Sequence, residues 1–310
     1  MRSDRVHQRP QRRLSARILS ARWMYVFLLP GFVFFVVFRY VPLLGTIIAW
    51  QDYSPFLGIT GSPFVAWDNF VALLSDPEVA TATRNTLVLS LLQLVFAFPA
   101  PIALSLLLNS LLSEGVKRSV QAIVYLPHFI SWVVVISVWQ QVFGGAGMFT
   151  GVVESLGGDP INLMSDPQLF PAMVTAQVIW KEIGWGTIIF FAAISMIPTE
   201  QYESAVVDGA GPWRRMWHIT LPGIVPVIVL LLILRLGTVL TVGFEQLLLQ
   251  QPAVGADAAQ VLDTFSYFRG IVGGDWGLAT AAGLVKGAIG TALVIAANKF
   301  CKRFAGHGAF

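Results

Sequence analysis

Five ionisable side chains stand inside or at the edge of long apolar runs: Lys181, Glu182, Arg235, Glu245 at an outer end, and Lys286. A charge in hydrocarbon costs at least about 2.5 kcal/mol, so such groups face a bundle interior, a partner or a water-filled route. Lys181 and Glu182 are adjacent and either pair with other groups or snorkel. Arg235 and Lys286 sit deeper in their segments and either pair with a neighbouring subunit or line a translocation route. Reaction chemistry has no comparable footing. His7, His128, His218 and His307 lie far apart, with no His-x-x-x-His pair and no cysteine partner. The chain contains no Gly-x-x-x-x-Gly-Lys-Ser/Thr phosphate loop and no Gly-x-Ser-x-Gly nucleophile elbow. The single cysteine, Cys301, allows neither an internal disulfide nor a thiol metal site. No catalytic residue and no metal ligand is expected, and the chain is not expected to be an enzyme.

The elements that must hold these charges follow from composition. Of 310 residues, 55% are hydrophobic and only 12% charged, and the mean hydropathy is +0.70. Those values identify an all-α integral membrane protein. About 20 mostly apolar residues are needed to cross the hydrocarbon as a helix. Six segments meet that requirement or nearly so: 23–49, 86–108, 119–143, 172–197, 219–242 and 276–298. Pro99, Pro101, Pro127 and Pro226 fall within them and predict kinks. The first run is too long, and continues too far, for a cleaved signal peptide.

Charge sets the orientation. The N-terminal tail, the SEGVKRS turn, the WRRMWH segment and the NKFCKRF tail hold 14 of the 20 Lys and Arg residues. Stretches 51–83 and 144–171 hold none, but carry Asp52, Asp68, Asp76, Glu78, Glu154, Asp159 and Asp166. By the positive-inside rule both termini are cytoplasmic and the two acidic stretches face outside. The expected organisation is a basic tail at 1–22, a membrane domain at 23–300 and a short cytoplasmic tail at 301–310. A net charge of +3 distributed in this way reports orientation, not nucleic-acid binding. The outside loops are long and rich in aromatic and turn residues, either as surface covering or as a docking surface.

One polar segment stands between the fourth and fifth spans: EQYESAVVDGAGPWRRMWHITLP, residues 200–222. Thr199 is a candidate cap for a short helix, and Tyr202, Ala205, Val206, Gly209 and Ala210 recur at helical spacing on one face. Such a face either enters a groove on another protein or lies on the lipid. Glu203, Ala205, Gly209, Ile219, Leu221 and Pro222 match the pattern E-A-A, three residues, G, nine residues, I-x-L-P, with Ser204 at the second alanine. This resembles the EAA loop of permease subunits of ATP-binding cassette (ABC) importers. The segments YVPLLGTIIAWQDYSPFLGITGSPFVAWDNF and YLPHFISWVVV are similar to the carbohydrate-uptake branch, particularly subunits serving oligosaccharides of plant or algal polysaccharides.

The resemblance implies a cytoplasmic coupling helix within loop 199–222, docking on a separate ATPase. Glu203 and Asp208 would make its polar contacts, and Ala205 and Gly209 would allow close approach. It further implies two permease subunits, the second a paralogue, two ATPase subunits that bind ATP and Mg, and an external solute-binding protein. This chain itself would hold no cofactor, and its site would be the bacterial inner membrane. For the sugar pathway the expected residues are Trp139 and Trp180, as stacking faces or else interface anchors, with Arg235 and Lys286. Two such cations would favour uronate-bearing sugars. The rivals are an ABC permease for a non-sugar solute and a secondary transporter. The latter calls for midplane ion-coupling carboxylates and inverted repeats, which the sequence does not display.

Overall fold

The computed structural model describes residues 22–111 and 113–304. Both proposed tails lie largely outside these residues. The principal helices are α1 (Arg22–Trp50), α2 (Pro77–Ser110), α3 (Glu114–Tyr125), α4 (Trp132–Phe143), α5 (Phe170–Ser195), α6 (Thr199–Val207), α7 (Pro212–Gly237), α8 (Phe244–Val254) and α9 (Trp276–Phe304). Six stretches are long and apolar enough to cross a membrane: α1, α2, α4 with its continuation to Ser155, α5, α7 and α9. Among the described residues there is no strand, only one isolated bridge between Gln51 and Phe64. The protein is a multi-pass helical membrane protein.

Several expected boundaries are corrected. The second span starts at Pro77, not 86, because Asp76 accepts the Glu78 N–H at 2.8 Å as an N-cap and Pro77 occupies the first helical position. The third span, expected as one helix over 119–143, is broken. A 3-10 turn at Leu126–Phe129 follows α3, and Ser131 caps α4 by accepting the Val134 N–H at 3.4 Å. Pro127 supplies no N–H and forces the interruption. The fifth span runs from Pro212 to Gly237 in place of 219–242, so the WRRMWH segment is already helical. Residues 244–272, left without structure by the hydropathy pattern, hold α8 and further short helices. α9 continues to Phe304, so the tail expected from 301 begins inside a helix.

Proline also explains a recurring distortion. Wide π turns occupy Val36–Tyr40, Gln93–Ala97 and Met216–Thr220. Each lies two residues before a proline, Pro42, Pro99 and Pro222. A helical proline ring collides with the carbonyl four residues earlier. That carbonyl belongs to Phe38, Val95 or His218, each inside the wide turn, where it is displaced. A fourth π turn, Tyr267–Val272, is not followed by proline.

Three apolar clusters hold the helices together. Phe190, Ile194 and Ile224 join α5 to α7. Leu89, Phe170, Val174, Val242, Leu247 and Val254 join α2, α5 and α8 at the opposite end of α5. Leu73, Val79, Ala82, Phe265, Leu278 and Ala282 seat α9. α5 approaches α3 so closely that a Cβ on Gly184 would lie 2.0 Å from the Val124 carbonyl oxygen. α1 leaves nearly all its large apolar side chains exposed, as a lipid-facing span can.

Candidate functional site

The polar segment forms α6 followed by a sharp reversal. Pro198 is the N-cap and no side chain caps the helix, which corrects the expected cap at Thr199. The helix stops at Val207 with Asp208 as C-cap, so Gly209 and Ala210 do not extend its face. Gly209 takes φ +74°. Its N–H donates to the Val206 carbonyl at 3.0 Å, and the Ala210 N–H donates to the Ala205 carbonyl at 2.8 Å. This is a Schellman termination, which asks for a left-handed residue and is best met by glycine.

The faces of α6 are also redistributed. Tyr202 and Ala205 turn toward their own chain, half-buried, and the Tyr202 hydroxyl shares a 3.0 Å hydrogen bond with Thr220 Oγ1. Thr220 is buried in the π turn set by Pro222. Glu200, Glu203, Ser204, Val206, Val207 and Asp208 are exposed. Val207 and Met196 are 88% and 83% exposed. The Tyr202–Thr220 contact thus ties α6 to α7, Leu221 packs on the Phe190, Ile194 and Ile224 cluster, and Glu203 and Asp208 form an exposed polar edge.

A second site lies between α2, α5 and α7. A cavity of about 250 Å³ is lined by residues that include Gln93, Glu182, Trp185, Gly186 and Arg235. Gln93 is about 24 Å from either end of α2 at ~1.5 Å per residue, which puts the cavity near the membrane midplane. Arg235 Nη2 donates to Gln93 Oε1 at 2.7 Å, and Gln93 Nε2 donates to the Val242 carbonyl at 3.1 Å. That carbonyl is free because α7 has ended; Ser90 Oγ likewise donates to the Val239 carbonyl at 2.6 Å. Gln93 therefore both closes the helix end and aims the guanidinium.

The carboxylate in this cavity is compensated and the guanidinium is not. Glu182 Oε2 lies 2.8 Å from His128 Nδ1, and its Oε1 lies 3.9 Å from Lys181 Nζ. His128 stacks on Trp185 with centroids 4.5 Å apart and planes at 4°. Lys181, 6% exposed, donates to the His128 and Ile130 carbonyls at 2.8 and 2.7 Å and also reaches Pro127 O at 3.4 Å. It thereby satisfies the carbonyls released by the broken third span, in keeping with the paired reading of Lys181 and Glu182. Arg235 has no carboxylate partner among the described residues, so the cavity carries uncompensated positive charge.

The other expected pathway residues are placed differently. Trp139 and Trp180 meet edge to face, centroids 6.4 Å apart. Trp180 is two residues from Glu182, about 200° around α5, and does not line this cavity. Lys286 forms an ion pair with Asp263 and does not line this cavity. Gln93, His128 and Trp185 were not anticipated. The signal available was the spacing of Glu182 and Trp185, three apart on one helix. Gln177, Gln246 and Gln250 were likewise missed. They form a buried amide cluster that locks α8 onto α5, with Gln246 Nε2 to Gln177 Oε1 at 2.6 Å.

Residues 96–305 match the family described as the binding-protein-dependent transport system inner membrane component. The chain is 44% identical over 296 residues to Protein LplB of Bacillus subtilis (strain 168), covering 95% of this chain and 93% of that protein. It is 41% identical over 301 residues to the polygalacturonan/rhamnogalacturonan transport system permease protein YteP of the same organism, covering 97% and 94%. Among solved structures it superposes with TM-score 0.87 and 37% identity on a chain of a bacterial alginate ABC transporter, crystallised in complex with an alginate pentasaccharide-bound periplasmic protein. That match covers 96% of this chain and 99% of the other.

Proposed function

The chain belongs to the inner membrane components of binding-protein-dependent transport systems and is a permease of ABC sugar importers, and from that premise we propose that it passes acidic oligosaccharides through the cavity at Arg235. The observation that carries the reading is the guanidinium of Arg235, held by the neutral amide of Gln93 and facing the same cavity as Trp185. A guanidinium pairs a carboxylate through two hydrogen bonds, and an indole face suits the apolar face of a sugar ring. The two named relatives, of polygalacturonan/rhamnogalacturonan and of alginate, serve polymers of matching chemistry.

A solute-binding protein delivers the sugar from outside. Of two ATPase subunits, which bind ATP and Mg, one docks on the exposed edge of α6 formed by Glu203, Val206, Val207 and Asp208. Ala205, Ile219, Leu221 and Pro222 fix that helix to α7, and Gly209 ends it. A second permease completes the pathway, and both termini are cytoplasmic. Alternating access then consists of α6 moving with the ATPase and transmitting that motion through the Tyr202–Thr220 contact to α7, which carries Arg235 at its far end.

Purification from the native membrane in mild detergent, with identification of the retained subunits, tests the assembly. Recovery of an ATPase and a second permease is expected. A chain that repeatedly purifies alone after gentle crosslinking would contradict it and favour a self-contained carrier. Uptake of a neutral oligosaccharide unaffected by Arg235→Gln, with acidic ones equally unaffected, would remove the pathway assignment.

A further inference from the structure

A separate cavity of about 230 Å³ lies at the cytoplasmic end of the bundle, between the end of α2, α6 and the start of α7. Its polar lining is Asn109, Ser110, Tyr202, Arg215 and Thr220, and its apolar lining is Leu106, Leu111, Pro212 and Met216. Among the described residues no carboxylate lines it. Arg215 is half-buried and its guanidinium has no acceptor among the described residues. The Asn109 side chain is also half-buried and has no partner among the described residues. Tyr202 and Thr220 share one hydrogen bond between two hydroxyls, which leaves one proton to donate. The Arg215 and Asn109 side chains are therefore free to donate to an acceptor that enters the cavity, and an anionic one gains charge-assisted hydrogen bonds from the guanidinium.

The occupant that satisfies these donors is an anion with an apolar body, present at headgroup depth. That depth is marked by Trp213 and Trp217, 69% and 49% exposed, which meet edge to face at 5.8 Å beside the cavity. A phospholipid phosphate meets all three conditions, since its oxygens accept from Arg215 and Asn109 while its acyl chains follow Leu106 and Met216. Arg214, His218 and Asp208 line a neighbouring cavity of about 300 Å³, which Arg215 lines as well. There the Asp208 carboxylate offsets one of the two guanidiniums, whereas in the first cavity Arg215 faces no carboxylate of the described residues.

We propose that this cavity binds the phosphate of one anionic phospholipid of the cytoplasmic leaflet, and that the lipid braces α6 against α7. Because Tyr202 lines the cavity, occupancy restrains the root of the exposed helix. The inference rests on the cavity alone and is independent of which solute is transported. The other candidate acceptor, a carboxylate from a docked ATPase, is separated from it by the test.

The test is native mass spectrometry of the purified transporter complex from bilayer nanodiscs holding phosphatidylglycerol and phosphatidylethanolamine in equal amounts. Wild type is expected to retain one phosphatidylglycerol with at least tenfold preference. Arg215→Gln and, independently, Asn109→Leu are expected to lose that preference, while Arg214→Gln keeps it. Monodispersity of each variant on size exclusion serves as the folding check, and either of the first two variants suffices to decide. Retention of the lipid by both Arg215→Gln and Asn109→Leu would overturn the proposal. Equal loss in Arg214→Gln would also overturn it, by showing a diffuse basic surface. So would the absence of retained lipid together with a crosslink from position 215 to an acidic residue of the ATPase.

Discussion

Replacing Gly209 separates two accounts of the coupling loop. If Gly209 mattered as a small contact residue, side-chain size alone would set the damage. The structure gives a different reason: φ is +74°, and a Cβ built there meets nothing within 4 Å. Alanine therefore clashes with nothing in this chain, but the left-handed backbone costs about 1–2 kcal/mol for a residue with a Cβ. At about 1.4 kcal/mol per tenfold, that is a roughly 5- to 30-fold shift away from the Schellman end. The two hydrogen bonds to Val206 and Ala205 go with it. Asparagine tolerates this conformation better than alanine despite its greater size. Substrate-stimulated ATPase activity and uptake, measured in proteoliposomes of the assembled transporter, should therefore fall in the order Gly, Asn, Ala, Val. Alanine outperforming asparagine, with both chains inserted equally, would refute the backbone argument and restore the contact account.

Further outcomes follow from the same structure. Gly184→Ala forces a Cβ onto the Val124 carbonyl oxygen at 2.0 Å, and a loss of about 1–3 kcal/mol should appear as a lowered Tm in detergent. Lys181→Met leaves the His128 and Ile130 carbonyls unpaired; the thermal shift should correspond to about 1–3 kcal/mol, and no shift would show that water replaces the ammonium. Tyr202→Phe removes the hydrogen bond to Thr220 and should leave ATPase activity present but reduce the sugar moved per ATP, measured as a flux ratio.

Much of this architecture was legible because hydrocarbon leaves few options. Six apolar stretches and a one-sided distribution of basic residues are enough to give crossings and their expected order. The errors came where local polar chemistry overrides hydropathy. Nothing in the mean apolarity of 119–143 marks the break, which depends on Pro127 and on a lysine 50-odd residues away that accepts the burden of the freed carbonyls. α8 was hidden because its role is polar: Gln246 and Gln250 are one turn apart and both donate to Gln177 Oε1. In the coupling segment the periodicity placed Gly209 on a helix face, whereas glycine near a helix end more often terminates it. Arg235 was visible as an intramembrane charge, but its orientation depends on Gln93, a tertiary partner that sequence spacing does not reveal. Lys286 looked equivalent until Asp263 was found beside it.

The most direct measurement of the central claim is uptake by the reconstituted transporter with its binding protein, comparing a uronate oligosaccharide with a neutral one of equal length. The account predicts ATP-dependent accumulation of the acidic sugar, and Arg235→Gln reducing it at least tenfold relative to any neutral uptake. Equal transport of both sugars, unchanged by Arg235→Gln, would contradict it.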